Sequence, residues 1–400
     1  MSDPAYLDCN ATTRPNAAVV EEMLDCLRGA WGNPSSTHGP GQAARRVLGD
    51  ARARVAAFLG CAGAELVFTS GATEANHMAL LGALELGLRP ASTGRDGPTG
   101  RARRRLVLSA VEHSASLALA ERLRSRGQPV DLIPVNRHGE LDLDAAAALI
   151  RDDVALVSVM GANNETGVLM PTQELARLAR AAGAPLHVDA TQLAGKTTLR
   201  FDTSGADLWS VSAHKLGGPK GVGGLVVRKG LAWPALFSGR QERHRRGGTE
   251  NLAGIVGFAA AAEQAGRSLA RDIAHMRGLQ VRLEAGLREA CGDVHVHGAA
   301  VARLPNTTYL RFGTLDADQV LARLEGAGVV ASSGAACSAS GSQPSHVLLA
   351  MGESSVQARA GVRLSTWRET RAAEIDHVIA AAARVLAPLL EAAPQPAVLP

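Results

Sequence analysis

The chain has 400 residues, of which 46% are hydrophobic and 43 are glycine. This length and composition exclude a disordered protein and exceed what one hydrophobic core usually holds, so we expect a large domain and a smaller one. The 42 basic and 38 acidic residues leave a net charge of only +4, which gives no indication of a nucleic-acid or membrane-binding surface.

The N-terminal sequence MSDPAYLDCN lacks the basic start and the apolar run of a signal peptide. Nowhere do about 18 apolar residues follow one another, the length that a membrane-spanning helix requires. We therefore predict a cytoplasmic protein with no membrane partner.

From about residue 48, short apolar runs alternate with segments of helical periodicity, which is the pattern of βαβ units. The predicted strands are 65–70, 105–110, 155–160, 185–190, 207–212 and 223–228. Helices are predicted at 73–86, 114–126 and 172–182. The sequence therefore predicts an α/β fold with a mostly parallel sheet flanked by helices.

Four other segments have a distinct composition. Residues 89–105 are rich in Gly, Pro, Ser, Thr and Arg and predict an exposed excursion, and residues 391–400 predict a frayed tail. The alanine-rich stretch 251–290 predicts a helix that leads into a second domain of short strands and helices. The sequence HVHG at 295–298 alternates like a strand and offers too few ligands for a metal site, so we predict no metal.

The five cysteines are odd in number and far apart, and no two form a C-x-x-C pair. This spacing argues against a disulfide framework or a zinc site. Four of them, Cys9, Cys26, Cys61 and Cys291, are interpreted as ordinary small side chains. Cys337 differs because it lies in ASSGAACSASGSQPSHVL, a stretch with the composition of a loop.

A lysine and an acid follow two of the predicted strands. Asp189 ends the strand PLHVDA, and Lys215 follows DLWSVS and precedes a glycine-rich turn. Alone, such a lysine is usually a solvated charge. Because parallel strands place their carboxyl ends at one edge, where α/β proteins bind ligands, the pair predicts a pyridoxal phosphate site. The lysine would form the Schiff base, and the acid would pair with the pyridine nitrogen.

The sequence FTSGATEANH offers a seat for the phosphate. It passes from a strand through Gly71 directly into a helix, which supplies free backbone N–H groups, the positive end of the helix dipole and the hydroxyl of Thr73. Taken alone, it is an ordinary helix start.

Nine segments together carry a resemblance to a known family. In order they are YLDCNATTRP, WGNPSSTHGPG, FTSGATEANH, VSVMGANNETGVL, HVDATQLAGK, SAHKLGGPKGVGGL, RRGGTENLAGIVG, SSGAACSASGSQPSHVL and GVRLSTWRET. They span residues 6 to about 370 and resemble the signature segments of the pyridoxal-phosphate-dependent cysteine desulfurases of the NifS/IscS kind, within the class V aminotransferases. The resemblance implies PLP fold type I, with a large domain and a smaller α+β domain.

The resemblance implies a role for each matching residue. Lys215 matches the lysine that binds the cofactor covalently, His113 the histidine stacked on its ring, Asp189 the acid on the ring nitrogen and Gln192 the amide near the ring oxygen. Asn164 matches the asparagine beside substrate and cofactor, and Arg363 matches the arginine that binds the substrate carboxylate. The residues matched to phosphate binding are Ala72, Thr73, Ser212, His214 and, toward the neighbouring subunit's cofactor, Thr249. Without this context, His113 would be a capping or core histidine.

Cys337 matches the cysteine that takes sulfur from L-cysteine as a persulfide, leaving L-alanine. The hypothesis is that its loop, about 331–346, moves between the cofactor and a sulfur-acceptor protein such as an iron-sulfur scaffold. The match of Thr249 implies a homodimer with shared active sites. We place the large domain at 15–255 and the small domain at 1–14 and 256–390.

Some features leave alternatives open. Because STWRET after Arg363 departs from the glycine-containing sequence common in the family, Arg363 could instead form a surface ion pair, with Arg368 as a second candidate for the carboxylate and Trp367 reshaping the pocket. The basic run 238–250 is interpreted as structural or close to the phosphate. Alternative activities are a selenocysteine lyase or a cystine C–S lyase, and a non-catalytic scaffold for sulfur-carrier or tRNA-modifying partners is a third hypothesis.

Overall fold

The computed structural model of the protein describes residues 3–87, 103–334 and 343–392. Most of the predicted basic excursion, Cys337 with half of its predicted loop, and most of the predicted tail lie outside these ranges. Among the described residues, no helix is both long enough and apolar enough to cross a bilayer.

A seven-stranded sheet forms the centre of the protein, in the order β2-β8-β7-β6-β5-β3-β4. Its strands are β2 (Leu66–Thr69), β3 (Arg105–Ser109), β4 (Val130–Ile133), β5 (Val154–Met160), β6 (Leu186–Asp189), β7 (Leu208–Ser212) and β8 (Gly223–Val227). Only β8 runs antiparallel to its neighbours β2 and β7, and the other pairs are parallel. All six predicted strands are present and the α/β fold is confirmed, while β4 was not predicted.

Helices cover this sheet. They are α1 (Ala17–Gly29), α2 (Gly39–Leu59), α3 (Ala72–Gly87), α4 (Ser114–Arg124), α5 (Leu143–Leu149), α6 (Thr172–Ala181), the single turn α7 (Gln241–His244) and α8 (Leu252–Cys291). Side-chain caps fix several starts: Asn16 accepts a hydrogen bond from the N–H of Val19 before α1, and Asn251 accepts one from Gly254 in α8. The predicted helices and the long helix near 251–290 are confirmed.

Two smaller sheets are built from both ends of the chain. In one, β1 (Ala5–Tyr6) pairs in parallel with β11 (Val329–Val330). In the other, β10 (Thr307–Phe312) lies between β9 (Val294–Val296) and β12 (Val362–Ser365) and is antiparallel to both. The remaining helices are α9 (Ala317–Gly326), α10 (His346–Ala350), α11 (Ser355–Arg359), α12 (Ala372–Val385) and α13 (Ala387–Ala392). These small sheets use the two segments that the sequence assigns to a small domain.

The basic run 238–250 contains a strained turn that is bound to the rest of the protein through Glu242. In α7 the non-glycine residues Glu242, Arg243 and His244 all have positive φ, at 46°, 56° and 64°. The buried carboxylate of Glu242 accepts hydrogen bonds from the guanidinium of Arg52 at 3.0 and 2.5 Å and from the N–H of Phe68 at 2.8 Å. This ion pair holds the turn against the edge strand β2, in accordance with the structural interpretation of the run.

We predict that Glu242→Gln destabilises the protein, because it leaves the largely buried guanidinium of Arg52, which is 11% exposed, without its counter-charge. The expected loss is about 3 kcal/mol of unfolding free energy. Asp376→Asn is the matched control, since it breaks an ion pair with Arg282 whose side chains are 50% and 53% exposed. The control should lose no more than about 1 kcal/mol. Urea unfolding followed by circular dichroism measures both losses. Equal losses would contradict the claim that the Glu242–Arg52 ion pair stabilises the protein more than an exposed ion pair does.

Candidate active site

A cavity of about 640 Å³ opens where the carboxyl ends of β5, β6 and β7 meet. Parallel strands bring these ends to one edge of the sheet, so residues far apart in sequence meet there. The residues that line the cavity include these predicted site residues: Ala72, Thr73, His113, Asn164, Asp189, Gln192, Ser212, His214, Lys215 and Arg363. Thr249 is exposed and does not line it, and Cys337 lies outside the described residues.

Asp189, the last residue of β6, has both carboxylate oxygens fixed. One accepts a hydrogen bond from the side-chain amide of Asn76 in α3 at 2.7 Å, and the other accepts one from the N–H of Thr191 at 3.0 Å. The side chain is buried. Two donors therefore hold the carboxylate in one orientation inside the cavity.

Lys215 ends a short 3₁₀ turn, Ala213–Lys215, that directly follows β7. Its Nζ donates to the backbone carbonyls of Asn10 at 2.6 Å and Ala11 at 2.8 Å. The neighbouring His214 places Nδ1 3.2 Å from the hydroxyl of Thr12. Burial, together with the nearby lysines, lowers the pKa of His214 to about 4, so this imidazole is neutral at neutral pH. The N-terminal segment thus fixes both residues of the turn.

Asn10 is a buried junction that the sequence did not single out. Its side-chain amide donates to the carbonyl of Asn164 at 3.2 Å and to the hydroxyl of Thr307 at 2.9 Å. Its backbone carbonyl accepts from Nζ of Lys215 and, at 3.1 Å, from the side-chain amide of Gln192. One residue therefore positions three of the predicted site residues at once.

Lys196 is a second residue that the sequence analysis missed. It lies four residues after Gln192 and is fully buried. Its Nζ donates to the side-chain oxygen of Gln192 at 2.5 Å and to that of Asn10 at 3.2 Å. Because a protonated lysine can only donate, the charged form of Lys196 fixes which end of the Gln192 amide is oxygen and which is nitrogen. Burial, with Lys215 as the next cause, lowers the pKa of Lys196 to about 7.

His113 caps α4 and lines the cavity. Its Nδ1 accepts a hydrogen bond from the N–H of Ala115 at 3.2 Å, which leaves Nε2 to carry the proton in the neutral ring. Burial lowers the pKa of His113, and Lys215 adds to this effect. The adjacent Glu112 is buried and accepts from the hydroxyl of Ser109 at 2.5 Å and the N–H of Met160 at 2.7 Å. Burial raises the pKa of Glu112 to about 8.

The start of α3 forms one wall of the cavity. Ala72 and Thr73 occupy its first turn, where backbone N–H groups have no partner within the helix. Glu74 would repel an anion there, but its carboxylate already accepts from the N–H of Ser70 and from Nε of Arg246, both at 2.8 Å. This helix start can therefore still bind a phosphate.

Arg363 lies in β12 and is 4% exposed, so the surface ion pair considered from sequence is wrong. Its guanidinium donates to the carboxylate of Asp8 at 2.8 Å and to the carbonyl of Asn164 at 2.9 Å. The second candidate, Arg368, does not line the cavity and instead lies over the ring of Trp367 at 5.2 Å. Trp367 is also outside the lining and packs against the glycine turn at Gly195.

The cavity fits pyridoxal phosphate, because it offers buried polar atoms that a polar ligand can bind. The side-chain oxygens of Asn76 and Thr191 and Nε of Arg363 are buried without a hydrogen-bond partner among the described residues, and all three residues line the cavity. Buried polar atoms are normally hydrogen-bonded. Lys215 and Asp189 would hold the cofactor's aldehyde and ring nitrogen, and the start of α3 with Ser212 would hold its phosphate.

The four described cysteines are poor nucleophiles. Cys9, Cys26 and Cys291 are buried, Cys61 is partly buried, and none of these four lines the cavity. Burial raises the pKa of Cys9 and of Cys61 to about 12, and it raises the pKa of Cys26 and Cys291 as well. A thiol acts as a nucleophile only as thiolate. These four are therefore the inert small side chains that the sequence predicts.

Comparison with known proteins gives one family throughout. The family model of class-V aminotransferases matches residues 5–378. A cysteine desulfurase of Bradyrhizobium diazoefficiens is 43% identical over 385 residues, which cover 96% of this chain and 94% of that protein. The cysteine desulfurase NifS of Azotobacter vinelandii is 40% identical over 391 residues, covering 97% and 94%. A solved NifS-like protein superposes with a TM-score of 0.87 at 33% identity, covering 96% of this chain and 99% of that one.

The buried Lys196 leads to a prediction about pH. Its pKa is about 7 in the folded protein, against about 10.5 in the unfolded chain, so the unfolded state binds more protons between these values. Wild-type stability relative to Lys196→Met should therefore rise as the pH goes from 7 to 9. Urea unfolding of both cofactor-free proteins at each pH measures the difference between their free energies of unfolding. The cysteines titrate in both proteins, so their contribution cancels in this difference. A constant difference would contradict the assignment.

Proposed function

Since the chain belongs to the class-V aminotransferase family and matches cysteine desulfurases over nearly its full length, we propose that it is a pyridoxal-phosphate-dependent cysteine desulfurase. The observation that carries this proposal is the cavity in which Lys215, Asp189 and Arg363 meet. A covalent anchor, an acid for the ring nitrogen and a guanidinium for a carboxylate are the parts that a cofactor-bound amino acid requires.

Each residue of the cavity has a place in this reaction. When bound, pyridoxal phosphate supplies an electron sink for charge developing at the substrate Cα. Asp189 would keep a negative charge at the ring nitrogen, and the neutral His113 would lie against the ring. Arg363 would hold the substrate carboxylate through its planar fork, and Gln192 and Asn164 would orient the ring and the substrate. The amine of Lys215, once released, would take the proton from Cα.

Sulfur leaves cysteine with alanine as the other product only if an acceptor, here a second thiol, takes it. We assign this role to Cys337: its thiolate attacks the substrate sulfur, a sulfur–sulfur bond forms, and the Cβ–S bond breaks. The electron pair returns with a proton to Cβ, so cysteine and one thiol give alanine and one persulfide. The four described cysteines are excluded by burial and position, and only two residues separate Cys337 from Gly334, which lines the cavity with Ser332.

The remaining assignments concern partners. Thr249 is exposed and stands apart from this chain's own cavity, which supports its role at the cofactor phosphate of a second subunit in a homodimer. The persulfide would then pass to a sulfur-acceptor protein, for example an iron-sulfur scaffold. We infer a cytoplasmic enzyme, since its thiol must remain reduced between turnovers. The assembled cavity argues against a non-catalytic scaffold.

We predict that Cys337→Ala abolishes the formation of alanine from cysteine. The rate should fall by about two orders of magnitude or more, because no thiolate is then present to attack the substrate sulfur. Cys61→Ala is the matched control, since Cys61 is the partly exposed cysteine among those described and lies away from the cavity. Alanine and pyruvate are both measured without added reductant on cysteine, selenocysteine and cystine. Alanine from cysteine indicates the desulfurase, alanine from selenocysteine alone a selenocysteine lyase, and pyruvate from cystine a C–S lyase. Wild-type alanine formation by Cys337→Ala would sink the assignment.

A second prediction separates the two arginines. Arg363→Lys keeps a positive charge but loses the bidentate fork, so KM for cysteine should rise about tenfold or more. Arg368→Lys should leave KM unchanged within about twofold, because this residue does not line the cavity. Steady-state kinetics of both variants measures the contrast, and retained cofactor absorbance shows that both are folded. If KM rises more in Arg368→Lys than in Arg363→Lys, the substrate carboxylate binds Arg368 instead.

A further inference from the structure

Two histidines on strand β9 and the residue after it lie on one face. His295 is within Val294–Val296, and His297 is two residues further, so their side chains project to the same side. Their ring centroids are 4.8 Å apart at an interplanar angle of 73°. His295 is exposed, whereas His297 is 1% exposed. The pair alone supplies two imidazole ligands, which the sequence analysis judged too few for a metal.

The fold adds a third ligand from a distant segment. Glu353 follows α10 by three residues and brings its carboxylate oxygen to 3.4 Å from Nδ1 of His297. One ligand atom each of His295, His297 and Glu353 lies within 4.8 Å of the other two. More than fifty residues separate Glu353 from the histidines, so no spacing in the sequence could indicate this group.

The imidazole of His297 lacks the partners that a buried ring normally has. Its Nε2 is buried and has no hydrogen-bond partner within residues 3–87, 103–334 and 343–392. Its Nδ1 approaches only the carboxylate of Glu353, and 3.4 Å is longer than an ordinary N–H···O hydrogen bond of about 2.9 Å. Nδ1 is therefore the ring nitrogen that faces Glu353 and can share an ion with it, whereas Nε2 points from the other side of the ring.

We propose that His295, His297 and Glu353 form a binding site for a divalent transition metal, with Zn²⁺ as the ion that suits them best. Zinc binds imidazole nitrogen and carboxylate oxygen at about 2.0 to 2.2 Å, and three protein ligands leave a fourth position for water. The exposed His295 and the partly exposed Glu353 can move the remaining distance toward the buried His297. Solvent reaches the site from the side of His295, which is the exposed ligand.

The types of the ligand atoms select the kind of metal. Glu353 is the only carboxylate among the three ligands, and the other two are imidazoles. A hard cation such as Ca²⁺ or Mg²⁺ prefers several oxygen ligands and would find too few. Two neutral imidazoles and one carboxylate instead favour zinc and its neighbours in the transition series.

The site is separate from the cofactor cavity, and Tyr309 connects the two. None of the three ligands lines that cavity. The ring of His297 is 5.6 Å from Tyr309, whose hydroxyl donates to the carbonyl of Ser333 at 3.0 Å. A bound metal would thus connect β9 to the turn after α10. It would also hold the imidazole of His297 beside Tyr309, whose hydroxyl binds the carbonyl of Ser333.

The test is equilibrium dialysis of the chelator-treated holoenzyme against Zn²⁺, with Ca²⁺ in parallel. We expect one Zn²⁺ per chain in the wild type and no Ca²⁺. His295→Ala and Glu353→Gln should each raise the Kd for Zn²⁺ at least tenfold. Both residues are solvent-accessible, so these variants should fold, and cofactor absorbance checks this.

The controls separate this site from zinc binding elsewhere. His377→Ala removes another histidine, whose Nε2 lies near the carbonyl of Ala327, and Cys337→Ala removes the cysteine proposed as nucleophile. Both should bind Zn²⁺ within about twofold of the wild type. The proposal is overturned if the wild type binds no Zn²⁺, if His295→Ala and Glu353→Gln bind like the wild type, or if Cys337→Ala loses the ion.

Discussion

The active-site cavity depends on the hydrogen bonds of one buried amide residue near the N-terminus, Asn10. Its backbone carbonyl holds Lys215 and Gln192, and its side chain holds Lys196, Asn306 and Thr307. The same short stretch of chain contributes β1 to a small sheet five residues earlier. Segments from both ends of the chain and from the central sheet are therefore fixed in a single network, and the cavity forms only when all of them are in place.

This network also sets the electrostatics of the cavity. The cationic side chains of Lys215, Lys220 and Arg363 line the cavity. Of the carboxylates that line it, Asp8 is paired with Arg363 and Glu74 with Arg246. Such a space favours anions, and a phosphate and a carboxylate are the two anionic groups that the proposed chemistry places there. The lowered pKa of Lys196 has the same origin, because a fully buried ammonium near other cations loses its charge readily.

The fold could be predicted where buried strands form short, mostly apolar runs, as in ALVSVM and DLWSVS. The edge strand β4 was missed because its middle residues, Asp131 and Leu132, are only partly buried and its pattern is weak. Asp189 and Lys215 were predictable because the first ends a strand and the second follows one within three residues. Asn10 and Lys196 were not predictable, since the contact between them joins residues 186 positions apart. Arg363 differs from Arg368 in lining the cavity, which the sequence alone does not show. For the same reason, the approach of Glu353 to His297 is visible only in three dimensions.

Helix α8 has a mechanical consequence. Its 40 residues form a rod about 60 Å long. Residues from Leu252 to Met276 pack into the core beside the central sheet, and Leu279, Leu283 and Leu287 pack into the core of the small sheets. A rotation of one core against the other would have to bend this rod or pull one end of it from its packing. Substrate entry and product exit are therefore expected to involve side chains and connecting segments rather than a swing of two rigid halves.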